Sequence, residues 1–318
     1  MGSKVSAPAL PRRLATAVWG HGPLWRRARR RLILLGRRRS ETVSFRRGGF
    51  RWTGFTWDDG ITWELYIHGG FQEEEREAVA GWMRRHGQIA PGRDLVIEVG
   101  ANLGTTTLPL ARREGLRVVA IEPVPGSFRL LERNVRDNGL EDRVRCVHRA
   151  VHGRSGPLTM VTTGRTSGGA EVGVPGRVLE SERSGTVAEK VRARERAPAS
   201  TFGELLAELS IDPGSVAFVW SDTQGSDGHV LAGGERLWRS GVPLYMELWP
   251  GAMRHQGSFD AVDRAASLGF ASFIEAERLK AGADPDPRPI AELADLCASL
   301  RGEFDQTDVL LIPAARRA

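Results

Sequence analysis

The feature that most constrains this chain is one stretch, Leu95-Val-Ile-Glu-Val-Gly-Ala-Asn-Leu-Gly-Thr105. An apolar run ends at Gly100, and Gly104 stands where a helix is expected to begin. A short strand that is apolar on both sides must be covered on both faces, as in a parallel sheet flanked by helices. Similar runs recur at Val118–Glu122, Val144–Val151, Val216–Trp220, Pro243–Trp249, Ala271–Glu275 and Val309–Ile312. Helical stretches starting near Thr105, Ser127, Thr201, Asp227, Phe259 and Pro289 separate most of them. This alternation predicts an α/β fold with a doubly wound sheet of about seven strands.

That regular part is expected to occupy residues 93–318, and two other regions precede it. Residues 1–42 read as a basic arm, with a short helix between Leu24 and Arg39. Residues 1–51 hold one Lys and thirteen Arg against a single acid, a net +13. Since the whole chain carries +6, the rest carries −7. An acidic body with a basic arm argues against a nucleic-acid groove. Residues 43–92 read as an extension: an aromatic-rich β-hairpin over 43–68, with a turn at Asp58-Asp59-Gly60, then a helix from Phe71 to His86. Its aromatic residues offer a surface for a homo-oligomer. Within the regular part, Leu158–Thr162 and Val191–Ala197 read as strands, the latter at an edge. The Gly- and Ser-rich stretch 164–190 between them reads as a mobile substrate loop, since loops of that length are mostly functional or disordered. No apolar run reaches the roughly 20 residues needed to cross a bilayer. Cys146 and Cys297 form no paired motif, so both are expected reduced, in a cytoplasmic protein.

The turn Glu98-x-Gly100-Ala-Asn102-x-Gly104-Thr105 lies at the carboxyl end of a strand, where open α/β sheets bind ligands. Glycines there permit a tight turn and a close approach to the backbone. Glu122, in Ala-Ile-Glu-Pro123 at the end of the next strand, can accept both hydroxyls of a ribose. The spacing is not the G-x-G-x-x-G of nicotinamide folds, and no G-K-[ST] follows to make a P-loop. A carboxylate at Glu98 suits a cationic, nucleoside-bearing cofactor, namely S-adenosylmethionine (SAM), with S-adenosylhomocysteine (SAH) as product. Glu98, Gly100, Asn102, Gly104, Thr105, Glu122, Pro123 and Asp222 are the expected cofactor residues. Val124, Phe128, His148, Arg149 and Ala150 are candidates for the adenine side.

Val96-Ile-Glu-Val-Gly-Ala-Asn-Leu-Gly-Thr105, Ala120-Ile-Glu-Pro123, Asn134, Arg149-Ala-Val151 and Val219-Trp-Ser-Asp-Thr-Gln-Gly225 together resemble the FkbM family of SAM-dependent methyltransferases. The resemblance spans roughly residues 94–250. Members often carry Asp where Glu98 stands, Lys where Trp220 stands and Glu where Asp227 stands. The resemblance implies a class I methyltransferase fold with an antiparallel last strand. It also implies methylation of a hydroxyl oxygen on a sugar or secondary metabolite.

Methyl transfer from a sulfonium is a displacement at carbon, so the enzyme must align the acceptor and take its proton. Asp222, after the fourth strand, is the expected base, with His255 as a second candidate beyond Trp249-Pro-Gly. Gln224, Asp227, Glu247 and Trp249 are the expected acceptor contacts. The site is read as metal-free, with a divalent cation held by Asp222, Asp227 and Glu247 as the alternative. The acceptor is read as a small molecule. A macromolecule docked through the basic arm is the competing reading.

Overall fold

A computed structural model describes residues 40–163, 166–173, 191–282 and 284–314. The helix expected between Leu24 and Arg39, and most of the 164–190 loop, lie outside the described residues. Strands β1 (Thr42–Arg47) and β2 (Phe50–Phe55) form a hairpin around Gly48-Gly49. Strands β3 (Leu95–Val99), β4 (Arg117–Ile121) and β5 (Val144–Val147) alternate with the helices Thr107–Arg112 and Pro125–Asp137. Four more, β6 (Ala150–Val151), β7 (Gly156–Thr163), β8 (Glu171–Val172) and β9 (Val191–Ser200), make a separate sheet in the order β6-β9-β7-β8. The chain then returns with β10 (Val216–Ser221), β11 (Leu244–Leu248), β12 (Phe270–Glu275), β13 (Arg288–Pro289) and β14 (Thr307–Pro313).

The central sheet has the order β13-β12-β14-β11-β10-β3-β4-β5. From β11 to β5 its strands are parallel, and β14 runs antiparallel to both neighbours, β11 and β12. This is the mixed α/β sheet the sequence implied, with its antiparallel last strand. The two-residue β13 adds an eighth member at the edge. β3 is buried at every position. Its alternate residues feed two layers: Ile97 and Val99 pack with Phe202 and Trp238, while Val96 packs with Leu103, Trp220 and Tyr245. Glu98 therefore points to the layer of Trp220.

The extension departs from the expected hairpin after Phe55. Ile61–His68 is a helix, not a strand. Ile61, Thr62 and Leu65 are buried at helical spacing, and Ile67 is buried beside them. The Asp58 carboxylate accepts from the backbone N–H groups of Gly60, Ile61 and Thr62, satisfying donors a helix start leaves open. Burying Ile61, Leu65 and Ile67 gains about 1.5–3 kcal/mol each, which outweighs a strand preference spanning about 1 kcal/mol. Of the extension's aromatic residues, Phe50 and Trp52 are buried with Trp82, Leu103 and Leu108 in the core, while Phe45, Phe55, Trp57, Trp63 and Tyr66 are partly exposed. The helix Glu73–Arg85 follows, acidic first turn to basic last turn.

One further expectation changes, while β9 keeps its edge: over Val191–Ala197 it pairs with β7 alone, and β6 joins it only at Ala199–Ser200. The helix expected from Asp227 to Ser240 breaks into Asp227–Gly233 and Glu235–Arg239. At the break a Cβ on Gly233 would press on Phe202, and one on Gly234 on Trp238. Cys146 and Cys297 are unbridged. Among the described residues, no helix is long and apolar enough to cross a membrane.

Candidate active site

Three strand ends converge. Glu98 lies beside Trp220 on β10 and Ala120 on β4, and Asp222 N donates to Val99 O at 3.0 Å. Beyond β3 the chain turns back so that the amides of Gly100 and Ala101 both donate to Ile121 O. Gly100 has φ +91°, and a Cβ there would lie 1.8 Å from Asp222 O. Only glycine permits this approach of the two loops. Asn102 follows at φ +48°. Its N–H donates to Glu122 Oε2 at 2.8 Å, while Val124 N–H donates to Oε1 at 2.7 Å. Each oxygen retains a lone pair for a further donor. Burial pushes the Glu122 carboxyl up to about 7, against the pull of those two amides.

A narrow cleft runs from Glu122 and Pro123 past Val124 and Ala150 to Met160, Val172 and Asp222. A second cavity, of about 280 Å³, opens on the other side of the Gly100 turn. Glu98, Thr105, Trp220, Asp222, Gln224 and Glu247 line it, together with Gln72 and Phe71 from the extension. Asp222 lines both spaces and is the only titratable residue they share among the described residues.

The carboxyls here are held protonation-prone. Burial pushes Glu98 up to about 8, opposed by the Thr107 hydroxyl that donates to it at 2.5 Å and reinforced by the charges of Asp222 and Glu122. Asp222 is raised by burial and eased by Gln224 Nε2, which donates to it at 3.0 Å. Glu247 is raised well above the usual carboxylate range by burial and then by Asp222, Asp227 and Asp308. Gln224 Nε2 lies 3.4 Å from both Glu247 oxygens, so one amide spans two acids.

The Methyltransferase FkbM domain model matches residues 98–265, more than half of the chain. The chain belongs to the FkbM methyltransferase family. No curated protein sequence matches it. Among solved structures it is similar to cofactor-bound Rv0187 from MTB, 14% identical over 98% of this chain and 100% of that one, at a TM-score of 0.41. An O-methyltransferase from Bacillus cereus in complex with SAH is 12% identical over 81% of this chain and 99% of that one, at 0.38. Geranyl diphosphate C-methyltransferase from Streptomyces coelicolor A3(2) is 14% identical over 80% and 86%, at 0.37. Similarity at that level bears on neither acceptor nor mechanism.

As a SAM-dependent methyltransferase, the protein needs a site for a nucleoside and for a sulfonium. The residues fit. Glu122 offers two buried carboxylate oxygens at the end of β4. Thr223 Oγ1 and Ser226 Oγ line the cleft, buried and without a hydrogen-bond partner among the described residues, and so stand ready for polar atoms of a ligand.

Most expected site residues meet there: Glu98, Gly100, Asn102, Thr105, Glu122, Pro123, Asp222, Gln224 and Glu247. Four do not. A Cβ on Gly104 would meet Leu108 and Leu131, so this glycine serves core packing and not cofactor approach. Asp227 is fully buried, taking the Ser221 hydroxyl at 2.5 Å and Thr223 N–H at 3.4 Å. It fixes the Ser221–Gln224 loop and reaches neither cavity. Trp249 turns away, donating from Nε1 to Glu303 O at 2.7 Å. His255 lies in the last turn of the helix Pro250–Gln256 and lines neither space, because that helix carries it past the strand ends. Of the adenine-side candidates, Val124, Arg149 and Ala150 line the cleft. Phe128 and His148 instead stack on each other at 4.9 Å, and His148 Nε2 lies 2.9 Å from Pro123 O. Asn134 acts from behind, its amide donating to Leu103 O and Thr53 O and accepting from Thr53 N, which ties the hairpin to the cofactor turn. Among the described residues, no three His, Cys, Asp or Glu side chains are grouped to hold a metal ion.

Met160, Ser167, Val172, Thr223 and Ser226 were missed. Ser167 left a signal in the Ser-Gly-Gly run of the long loop, and Thr223 in the motif Ser221-Asp-Thr-Gln-Gly225.

Proposed function

We propose that this methyltransferase places SAM along the narrow cleft and a small hydroxylated acceptor, a sugar or secondary metabolite, in the cavity beyond the Gly100 turn. Asp222, shared by both spaces, carries the assignment. When bound, SAM supplies a methyl group made electrophilic by the positive sulfur. The ribose hydroxyls would be held by Glu122, and the amino end would reach past the Gly100 turn to Glu98, at the near end of the second cavity.

The acceptor side mixes amides and hydroxyls from Gln72, Asn102, Thr105, Thr166 and Gln306 with the rings of Phe71 and Trp220. Amide-and-hydroxyl linings over aromatic faces suit a polyhydroxylated ring, whose edges are polar and whose faces are apolar. Asp222 orients the acceptor hydroxyl and accepts its proton. A carboxylate raised by burial is a stronger base than one in water, and so is better matched to a weakly acidic hydroxyl. Gln224 keeps the Asp222 carboxylate turned toward the junction of the two spaces. His255 has no part in this step.

Small-molecule extracts incubated with deuterated SAM test the proposal. The label should appear on oxygen of a low-mass product, located by fragmentation mass spectrometry. Asp222→Asn should bind SAH within a few-fold of the parent yet lose about 10²–10⁴-fold in rate. Full-rate transfer by that variant would remove Asp222 from the chemistry, and label on nitrogen or carbon would remove the hydroxyl acceptor.

A further inference from the structure

One carboxylate outside the FkbM match holds the two cavities together. Asp58 is 2% exposed and accepts both from the helix start just after it and from Ser167, 109 positions away. Four donors belong to the start of the helix Ile61–His68: the N–H groups of Gly60, Ile61 and Thr62, and Thr62 Oγ1 at 3.0 Å. Two belong to Ser167, its N–H at 3.3 Å and its Oγ at 2.7 Å. Ser167 Oγ also lies 3.2 Å from Asn102 Oδ1. The single hydroxyl proton goes to Asp58, the nearer acceptor, so Ser167 is hydrogen-bonded to Asp58 and in polar contact with the Asn102 side chain, whose residue meets Glu122 through its backbone N–H.

Packing supports the same junction independently. A Cβ on Gly60 would lie 2.5 Å from Thr166 Oγ1, and one on Gly168 would lie 2.9 Å from Ile61 Cδ1. The two segments touch where glycine alone fits. They are also wall material, for Gly60, Ile61, Thr166 and Gly169 line the acceptor cavity, Ser167 lines the cofactor cleft, and Gly168 lines both.

We propose that Asp58 is a positioning residue that, through Ser167, seats residues 166–169 against the cofactor turn and so forms the wall common to cofactor cleft and acceptor cavity. The proposal rests on the two-cavity reading above. Capping the helix alone would need only the donors at 60–62. The Ser167 contacts serve a second purpose, making occupancy of the cleft felt in the extension.

Ser167→Ala separates the two roles, because it leaves the helix start capped. Binding of SAH is followed by calorimetry, and hydrogen exchange is followed at 58–62, 100–104 and 166–169 with and without SAH. In the parent, all three segments should gain protection together. In Ser167→Ala the melting temperature should hold within about 2 °C, the SAH Kd should rise about 3- to 10-fold, and 58–62 should no longer respond to SAH. Unchanged affinity with 58–62 still responding would overturn the proposal. Asp58→Ala should show the same uncoupling plus a lowered melting temperature. If it fails to fold, Ser167→Ala still decides. A parent protein that does not bind SAH would sink the cofactor assignment instead, a separate and recognisable result.

Discussion

Replacing Glu122 with Gln tests the centre of the cofactor reading. The parent carboxylate is 4% exposed and takes one backbone N–H on each oxygen, Val124 at 2.7 Å and Asn102 at 2.8 Å. The carboxamide has one oxygen, so its NH2 group must face one of those amides donor to donor. A buried donor left without an acceptor costs about 1–3 kcal/mol, and stability in urea should fall by that amount. The cofactor loses more directly. Two ribose hydroxyls donating to a charged acceptor are each worth about 1.5–3 kcal/mol. Losing the charge and one acceptor should cost about 2–4 kcal/mol in affinity, or about 30- to 1000-fold in the SAH Kd. Calorimetry at pH 8 reads this with the parent carboxyl, titrating about 7, mostly ionised. At pH 6 the parent is mostly protonated there, so its affinity should fall toward that of the variant. A folded Glu122→Gln protein that binds SAH within two-fold of the parent at pH 8 would refute the diol assignment.

Gly100→Ala forces a side chain into left-handed backbone, about 1–2 kcal/mol, and against Asp222 O, about 1–3 kcal/mol more. Urea unfolding should show a loss of about 2–5 kcal/mol, and an unshifted midpoint would mean the β3 and β10 ends are not so close. Without ligand, stability should fall as pH rises from 5 to 8. Glu98 and Asp308 titrate at about 8, Glu122 at about 7 and Asp227 at about 6 in the folded chain, each above its ordinary value. The folded state therefore holds protons that the unfolded state has already released, and that advantage disappears as pH climbs through the folded values. Calorimetric melting that rises across this window would contradict the burial of these groups. Asp227→Asn should lower stability through its Ser221 and Thr223 contacts, while an acceptor-contact role would show mainly in KM.

The cofactor half was open to reading because it follows chain order. Glu98 and Glu122 each end a strand, and the glycine spacing between them reports a turn. The acceptor half was not, because its wall comes from segments distant in sequence. Gln72, Thr166 and Gln306 carry no local pattern, and only the fold brings them together. Ile61–Ile67 misled for a different reason. Its residues favour a strand, and the Asp58 cap that overrides them has the composition of a turn. Asp227 and His255 were placed by order along the chain, which fixes the end of the sheet they approach but not the direction of the side chain.

The narrow cleft lies along a seam. Glu122 and Asp222 come from the ends of the central sheet, while Ala150, Met160 and Val172 come from the second one. A molecule seated there is mortar between two layers as well as a reactant. At a hundred times its Kd such a ligand adds about 2.7 kcal/mol to the folded state, and the gain should concentrate where the two sheets meet. Departure of the spent cofactor and loosening of that joint are then one event, and slow turnover in this enzyme would reflect the working of the masonry as much as the chemistry.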